Sequence, residues 1–198
     1  MLEIYLVRHG RTLFNEKDKV QGACDSPLTK EGRQQAENVG NGMKDIPFTL
    51  AFSSPSERAS DTCEAVLQGR VPIILDKRLK EMNFGYLEGE KNSELRVGKP
   101  ADFKEMCEIG WVEEGGENTA MVISRIEDFF NELIHKYNHE IILIASHGMW
   151  IHFAISYLLK KEIAVPIENC SVSKFIYENG EFSIDYVNNT KFRDCVKE

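Results

Sequence analysis

The sequence predicts an α/β fold in which a mostly parallel central sheet carries helices on both sides and the chain ends in an antiparallel hairpin. Two short apolar runs without polar alternation, residues 4–7 and 141–146, are typical of strands buried on both faces of a parallel sheet. Stretches with helical periodicity lie between such runs. Strands that alternate with helices favour parallel pairing, because each crossover connection covers one face of the sheet.

The first half of the chain follows this alternation. Thr29 can cap a helix that runs to about Met43 with apolar residues on one face. Residues 50–54 form a further apolar run, which indicates another strand of the sheet. Ser56 can cap the helix that follows, and Gly69 can close it.

The clearest helix begins near Asn118 or Thr119, where apolar residues recur at three- and four-residue spacing to about residue 137. The strand at residues 141–146 follows this helix. Residues 150–159 are then apolar enough to form a largely buried helix.

The end of the chain departs from this alternation. Residues 171–177 and 182–187 flank Asn179-Gly180, and Asn-Gly is the strongest short hairpin signal. We therefore expect a C-terminal antiparallel hairpin. Its exposed edge could pair across a homodimer.

An irregular segment at about residues 88–117 reads as a lid-like insertion within one domain that spans residues 1–198. The segment holds nine acidic and four basic residues, several glycines and one proline. Segments of this kind are usually functional in compact domains. Phe103, Met106 and Trp111 are its apolar anchors.

Composition and charge disfavour several kinds of partner. The chain has 198 residues, of which 42% are apolar and 28% charged, with a formal net charge of −8. Such a charge, without a Lys/Arg cluster, disfavours nucleic acid and anionic lipid. The chain contains no run of eighteen apolar residues, and its N-terminus lacks the basic flank of a signal peptide. We therefore expect a cytoplasmic protein with no membrane span.

Five cysteines are scattered without Cys-x-x-Cys spacing, which predicts free thiols in a reducing compartment. They are Cys24, Cys63, Cys107, Cys170 and Cys195.

Two histidines stand directly after strands of the parallel type. His9 and His147 are each followed by a glycine, which lets the backbone approach a ligand closely. Ligands of open α/β sheets bind beyond the carboxyl ends of the strands, so both histidines belong at the same rim. Arg8 and Arg58, the latter in the first turns of a helix, add two guanidiniums suited to a phosphoryl group.

The other histidines do not indicate a metal site. His135 and His139 stand four residues apart but have no third ligand nearby in the sequence, so we expect them to be solvated. His152 lies on the apolar helix and is expected to be packed or partly exposed at the edge of the core.

A series of motifs runs along most of the chain in a fixed order. They are Leu6-Val7-Arg8-His9-Gly10-Arg11-Thr12-Leu13-Phe14-Asn15, Gln21-Gly22, Asp25-Ser26-Pro27-Leu28-Thr29, Gly32-Arg33-Gln34-Gln35-Ala36, Ser53-Ser54-Pro55-Ser56-Glu57-Arg58-Ala59 with Thr62, Leu79-Lys80-Glu81 with Gly85, Leu87-Glu88-Gly89 and Ser146-His147-Gly148. Together they resemble the histidine phosphatase superfamily, which includes the cofactor-dependent phosphoglycerate mutases. The resemblance implies a phosphoglycerate mutase-like fold.

The resemblance implies that His9 is a nucleophile that forms a phosphohistidine. Arg8, Arg58 and His147 would stabilise the charge on the transferring phosphoryl group, and the two arginines would also disfavour the imidazolium form of His9. Glu81 matches the general acid and base of the family. No metal or other cofactor is implied.

The same resemblance supplies a set of phosphate-binding residues. Asn15 matches a phosphate contact, and Thr12 and Gln21 are expected to line the same pocket. Gly22 and Gly148 belong to this set as well.

The family contains hydrolases and mutases, and three features favour a phosphomonoester hydrolase. The chain is shorter than typical mutases, Phe84 stands where the mutase pattern has tyrosine, and the segment 88–117 lacks paired arginines. A cofactor-dependent phosphoglycerate mutase and a non-catalytic phospho-ligand binding module stay open as alternatives. The acidic segment predicts a preference against strongly polyanionic substrates. If Phe103, Met106 and Trp111 face the pocket, they favour a monophosphate ester with some apolar or aromatic surface.

Overall fold

The computed structural model describes residues 1–96, 109–161, 163 and 165–194, without the side chains of residues 95 and 96. Six strands form one sheet in the order β3-β2-β4-β1-β5-β6. The strands are β1 (Leu2–Arg8), β2 (Leu50–Ser53), β3 (Ile73–Leu75), β4 (Ile141–Ser146), β5 (Val172–Glu178) and β6 (Glu181–Asn189). The first four are parallel, whereas β5 is antiparallel to both of its neighbours. This confirms the predicted fold class.

Seven α-helices lie within the described residues. They are α1 (Leu13–Glu16), α2 (Lys30–Gly42), α3 (Glu57–Leu67), α4 (Asn92–Arg96), α5 (Thr119–Lys136), α6 (Gly148–Leu159) and α7 (Lys191–Asp194), with 3-10 turns at Lys77–Leu79 and Gly85–Leu87. None of the helices in these ranges is long and apolar enough to cross a membrane.

Helices cover both faces of the sheet, because alternate residues of the central strands point to opposite sides. Ile4 and Ile144 pack in the apolar cluster that contains α5 and α6. Tyr5 and Val7 pack in the other cluster, with α2 and α3. Burial on both faces explains why β1 and β4 consist of continuous apolar runs.

Helix starts follow the sequence prediction, with one correction. The Thr29 hydroxyl accepts a hydrogen bond from the Gly32 N–H at 2.9 Å, and Asn118 caps α5 in the same manner. Ser56 occupies the N-cap of α3, but its side chain makes no capping hydrogen bond. Gln68, with φ +53°, is the C-cap of α3, and Gly69 follows it with φ +77°, so the helix closes at the predicted glycine.

The terminal hairpin turns at Asn179 and Gly180, whose φ angles are +53° and +86°. Two positive φ angles match a type I′ turn, which explains the Asn-Gly pair. Strand β3 was not predicted, because three residues are too few to show the hydrophobic periodicity that identifies a strand. The homodimer through the outer edge of β6 stays a prediction.

Candidate active site

A cavity of about 400 Å³ lies at the carboxyl ends of the central strands. Six of the predicted site residues line it: Arg8, His9, Asn15, Gln21, Glu81 and Gly148. Four others do not line it: Thr12, Gly22, Arg58 and His147. These four are buried behind the cavity wall. The predicted set therefore separates into groups that face the cavity and groups that support it.

His9 is positioned by the end of β1 and by its own backbone. The ring Nδ1 lies 2.8 Å from the Gly10 carbonyl oxygen, and because a carbonyl only accepts, Nδ1 carries the proton. In the neutral ring, Nε2 then keeps its lone pair. Gly10 has no room for a side chain, since an added Cβ would lie 2.4 Å from the Gly32 carbonyl oxygen.

The neutral form of His9 is favoured by its surroundings. Burial lowers the pKa of His9 well below its usual value, and the guanidiniums of Arg58 and Arg8 lower this pKa further. A neutral imidazole with a free Nε2 is the nucleophilic form of histidine.

Arg8 reaches into the cavity from the last residue of β1. One terminal nitrogen, Nη1, donates to the Ile167 carbonyl, and Nε is buried without a hydrogen-bond partner among the described residues. An arginine with donors still free at the cavity wall is suited to the oxygens of a phosphoryl group.

Arg58 and His147 form a buried pair behind His9. The Arg58 Nε donates to His147 Nδ1 at 3.2 Å, and the remaining Arg58 contacts are to the Gly22 and Cys24 carbonyls and the Asp25 carboxylate. Four of the five N–H groups of Arg58 are thus engaged. Arg58 consequently acts on the cavity mainly through its charge.

The tautomer of His147 follows from its two contacts. Nδ1 accepts from Arg58, so Nε2 carries the proton and donates to the Ser54 hydroxyl at 2.8 Å. Burial lowers the pKa of His147 well below its usual value, with further lowering by Arg58. The His147 ring centre lies 5.3 Å from that of His9, so the two rings are in edge-to-face contact.

Glu81 lies on the side of the cavity formed by the start of α6. Its Oε1 accepts from the Met82 and Trp150 N–H groups at 2.9 and 3.0 Å, and Oε2 accepts from the Met149 N–H at 3.1 Å. The first turn of α6 and the Met82 N–H therefore hold both oxygens of the Glu81 carboxyl group in place.

Asn15 presents a free donor to the cavity. Its Oδ1 accepts from the Thr12 N–H and from Asn169 Nδ2, which directs the amide nitrogen away from those donors. Thr12 Oγ1 donates to Gln21 Oε1 at 2.7 Å, and Gln21 Nε2 donates to Ser26. Thr12 thus orients its neighbours, and Asn15 is the member of this network best placed to donate to a ligand.

Several residues of the site escaped sequence reasoning. Ser54 fixes the His147 tautomer, and Asn169 donates to the His9 carbonyl at 3.0 Å. Glu88 accepts from the N–H groups of Ala23 and Cys24, in the loop whose carbonyls accept hydrogen bonds from Arg58. Ser54 and Glu88 lie within the recognised motifs, which was their only signal.

Lys19, Asn92 and His152 also line the cavity. His152 is half-buried at the edge of the core, as expected, but its place in the cavity wall was not foreseen. No local pattern distinguishes these three residues from ordinary surface residues.

Phe84 and Trp111 belong to the apolar part of the cavity wall, and their rings meet edge to face with centres 4.9 Å apart. Val20, Met149, Pro166 and Ile167 are its other apolar residues within the described part of the chain. Trp111 therefore lines the cavity, which is the condition set for its influence on the substrate. Phe103 and Met106 lie outside the described residues. Within the described ranges, no group of three or more His, Cys, Asp or Glu side chains is arranged to hold a metal ion.

Comparison with known proteins gives a consistent result. Residues 4–190 match the family described as histidine phosphatase superfamily (branch 1). The probable phosphoglycerate mutase GpmB of Erwinia tasmaniensis is 32% identical over 183 residues, which cover 88% of this chain and 84% of the relative.

Two solved structures represent the structural neighbours. The phosphoglycerate mutase of Bacillus anthracis superposes with a TM-score of 0.88 at 29% identity, covering 97% of this chain and 95% of its own. The phosphoserine phosphatase of Entamoeba histolytica, in complex with 3-phosphoglyceric acid, gives 0.81 at 29% identity, covering 98% and 100%. The chain is therefore similar over nearly its whole length to proteins described as mutases and as phosphatases.

Proposed function

The chain belongs to the histidine phosphatase superfamily, branch 1, and we propose that it is a metal-independent phosphomonoester hydrolase that works through a phosphohistidine on His9. The observation that carries this proposal is the hydrogen bond from His9 Nδ1 to the Gly10 carbonyl, which leaves the Nε2 lone pair available beside Arg8 and Glu81 in one cavity.

In the first step, His9 Nε2 attacks phosphorus, so that an N–P bond forms while the bond from phosphorus to the ester oxygen breaks. Glu81, protonated in this step, gives its proton to the departing alcohol oxygen. Oε2 is the atom suited to this transfer. Each carboxylate oxygen has two lone pairs, and Oε2 accepts one backbone hydrogen bond whereas Oε1 accepts two.

In the second step, the Glu81 carboxylate takes a proton from water, and the water oxygen attacks phosphorus. The N–P bond breaks, inorganic phosphate leaves, and His9 and protonated Glu81 are restored. Arg8 and Asn15 donate to the phosphoryl oxygens, and the buried charge of Arg58 stabilises the same oxygens through space. This set of positive groups takes the place that a divalent cation has in other phosphoryl-transfer sites.

Hydrolysis is favoured over mutase activity by the residue at position 84 and by the composition of the sequence from 88 to 117. Phe84, three residues after Glu81, is buried and has no hydroxyl group. Arg96 is the only arginine in residues 88–117, so this segment has no arginine pair for a second phosphoryl group.

The nearer alternative is a cofactor-dependent phosphoglycerate mutase, because curated relatives carry that name. Isomerisation of 3-phosphoglycerate that depends on 2,3-bisphosphoglycerate and exceeds hydrolysis would support it. A non-catalytic binding module would show neither activity while still binding phosphate esters.

The alcohol part of the substrate is proposed to carry apolar or aromatic surface, because Phe84 and Trp111 form one wall of the cavity. Hydrolysis should be measured across sugar, nucleotide, amino-acid and aryl phosphates. We expect the highest kcat/KM for aryl phosphates and small monoesters, and a marked preference for bisphosphates would contradict the proposal.

The proposed function is tested by hydrolysis of p-nitrophenyl phosphate in the presence of EDTA. We expect the wild type to be active and His9→Ala to lose activity by about 10⁴-fold or more, since the covalent route is gone. His135→Ala, at an exposed position on α5, is the matched control and should keep full activity. Activity that persists in His9→Ala would show that the nucleophile is wrong.

A further inference from the structure

The cavity beside His9 is lined by more than the groups proposed to act on phosphorus. Lys19, Asn92 and Trp111 line the same cavity as Arg8, His9 and Glu81. The volume of about 400 Å³ is at the lower end of the range for small-molecule sites. There is room for an alcohol group of limited size beyond the phosphoryl group.

Lys19 brings an unbalanced positive charge to this cavity. It is half-buried, and it forms no ion pair with any side chain in the described part of the chain. Its contact is with the Phe14 ring, whose centre lies 5.6 Å from Nζ. A lysine that is partly removed from water without an acidic partner favours an anionic ligand.

The acidic side chains near this cavity are engaged by other groups of the protein, and Asp18 Oδ1 accepts from Nδ2 of the cavity residue Asn92 at 2.8 Å. Among the described residues that line it, Glu81 is the one carboxylate, and it is held by backbone N–H groups. Glu88 is held by the N–H groups of Ala23 and Cys24, and Glu117 pairs with Arg125. In a chain of net charge −8, this cavity therefore carries local positive charge.

The backbone of Lys19 is fixed on both sides. Its N–H donates to the Phe14 carbonyl at 2.9 Å, and it forms a bridge with Lys91 across the rim. The neighbouring Asn92 N–H donates to the Asp18 carbonyl. The point from which the Lys19 side chain extends is therefore fixed relative to the cavity, which reduces the backbone freedom that binding a ligand would otherwise cost.

We propose that Lys19 is a specificity-determining residue, which binds a carboxylate on the alcohol part of the substrate. The proposal rests on the proposed function and narrows its substrate class to small phosphate monoesters of hydroxy acids. One ammonium matches one carboxylate in charge, whereas the phosphoryl end uses guanidiniums and an amide. The apolar wall of Phe84 and Trp111 would contact the carbon skeleton between the two anionic groups.

The test compares esters that differ only in the carboxylate. One pair is 3-(4-phosphonooxyphenyl)propionate with 4-ethylphenyl phosphate, and the other is 3-phosphoglycerate with glycerol 3-phosphate. We expect wild-type kcat/KM to favour the carboxylated member of each pair. Lys19→Met should lower that ratio by about tenfold or more, mostly through KM, because a charged hydrogen bond is lost.

Two further variants separate charge from packing. Lys19→Arg keeps a positive charge and should retain most of the ratio. Lys17→Met, at an exposed position two residues away and outside the cavity wall, should leave the ratio as in the wild type. Equal kcat/KM for both members in the wild type, or a ratio that Lys19→Met leaves unchanged, would overturn the proposal.

A binding measurement separates this proposal from the proposed function. The Kd values of 3-phosphoglycerate and glycerol 3-phosphate are measured by calorimetry on His9→Ala, with and without Lys19→Met. We expect His9→Ala to bind 3-phosphoglycerate more tightly than glycerol 3-phosphate. The variant with both His9→Ala and Lys19→Met should bind the two ligands with similar Kd values. The same Kd for both ligands would reject the role of Lys19. If the wild type hydrolyses none of the esters but His9→Ala still binds 3-phosphoglycerate more tightly in a manner that depends on Lys19, the proposed hydrolase activity is rejected and the role of Lys19 is kept.

Discussion

Glu81 owes its position to three backbone N–H groups, and this arrangement defines what the side chain can do. Two of these donors belong to the first turn of α6 and the third to Met82. They fix both carboxylate oxygens and leave one lone pair of Oε2 for a proton. At the scale of single residues, the proposed acid is thus held by the helix rather than by another side chain.

We expect Glu81→Gln to lower kcat by about 10²- to 10⁴-fold for alkyl phosphates, whose alcohols leave only with a proton. The loss for p-nitrophenyl phosphate should be smaller, because nitrophenolate leaves without protonation. Steady-state kinetics on both substrates checks this. Glu113→Gln, at an exposed position, serves as the control. An equal loss on both substrates would argue against a role as acid.

At the scale of elements, α5 fixes the backbone around Glu81, which lies between the two 3-10 turns. Arg125 of α5 donates to the carbonyls of Arg78, Lys80 and Glu81. The same guanidinium pairs with both carboxylate oxygens of Glu117, one of which also accepts from the Asn83 N–H. Since Glu81 follows a 3-10 turn and lies in no strand, these contacts substitute for a sheet ladder.

We expect Arg125→Lys to lower kcat by roughly tenfold, because one ammonium cannot serve all of these acceptors and Glu81 would shift. The free energy of unfolding should fall by about 1–3 kcal/mol, as partly buried carbonyls lose their donors. Kinetics and urea unfolding measure the two effects. Arg33→Lys, on the exposed face of α2, should change neither. Lower stability with unchanged kcat would show that α5 does not position Glu81.

At the scale of the whole molecule, charge is distributed unevenly. The chain has a formal net charge of −8, yet Arg8, Arg58, His9 and His147 converge at one end of the sheet. Both histidines are buried and kept neutral by burial and by the arginines. This arrangement suits a dianionic phosphoryl group and makes the fold sensitive to acid.

We expect the free energy of unfolding to fall as pH is lowered from about 7.5 to 5.5. The pKa of His9 and of His147 is depressed in the folded state, and in the unfolded chain it is about 6.5. The unfolded state therefore binds protons that the native state does not. The resulting slope is at most about 1.4 kcal/mol per pH unit for each histidine.

Urea midpoints across this pH range measure the effect. His9→Asn and His147→Asn should each flatten the slope, whereas His135→Gln, exposed on α5, should not. A slope that survives in the variant with both His9 and His147 replaced would assign the acid sensitivity to other groups.

The amino-acid sequence by itself determined the fold class and pointed to the location of the candidate site. Short apolar runs that alternate with helical stretches predicted parallel strands, which placed Arg8 and His9 at the carboxyl end of β1. The hairpin followed from Asn179-Gly180, since both φ angles of its turn are positive. These inferences depend on local patterns, which a single sequence contains.

The tertiary structure decided which groups face the ligand. Arg58 and His147 were grouped with His9 by motif, but Arg58 is engaged by Gly22, Cys24 and Asp25 behind the cavity wall. Glu81 accepts hydrogen bonds from α6 residues that lie 68 and 69 positions further along the sequence. No sequence motif marked Lys19 as a residue of the cavity. Long-range packing sets such contacts, and neither periodicity nor spacing along the chain encodes them.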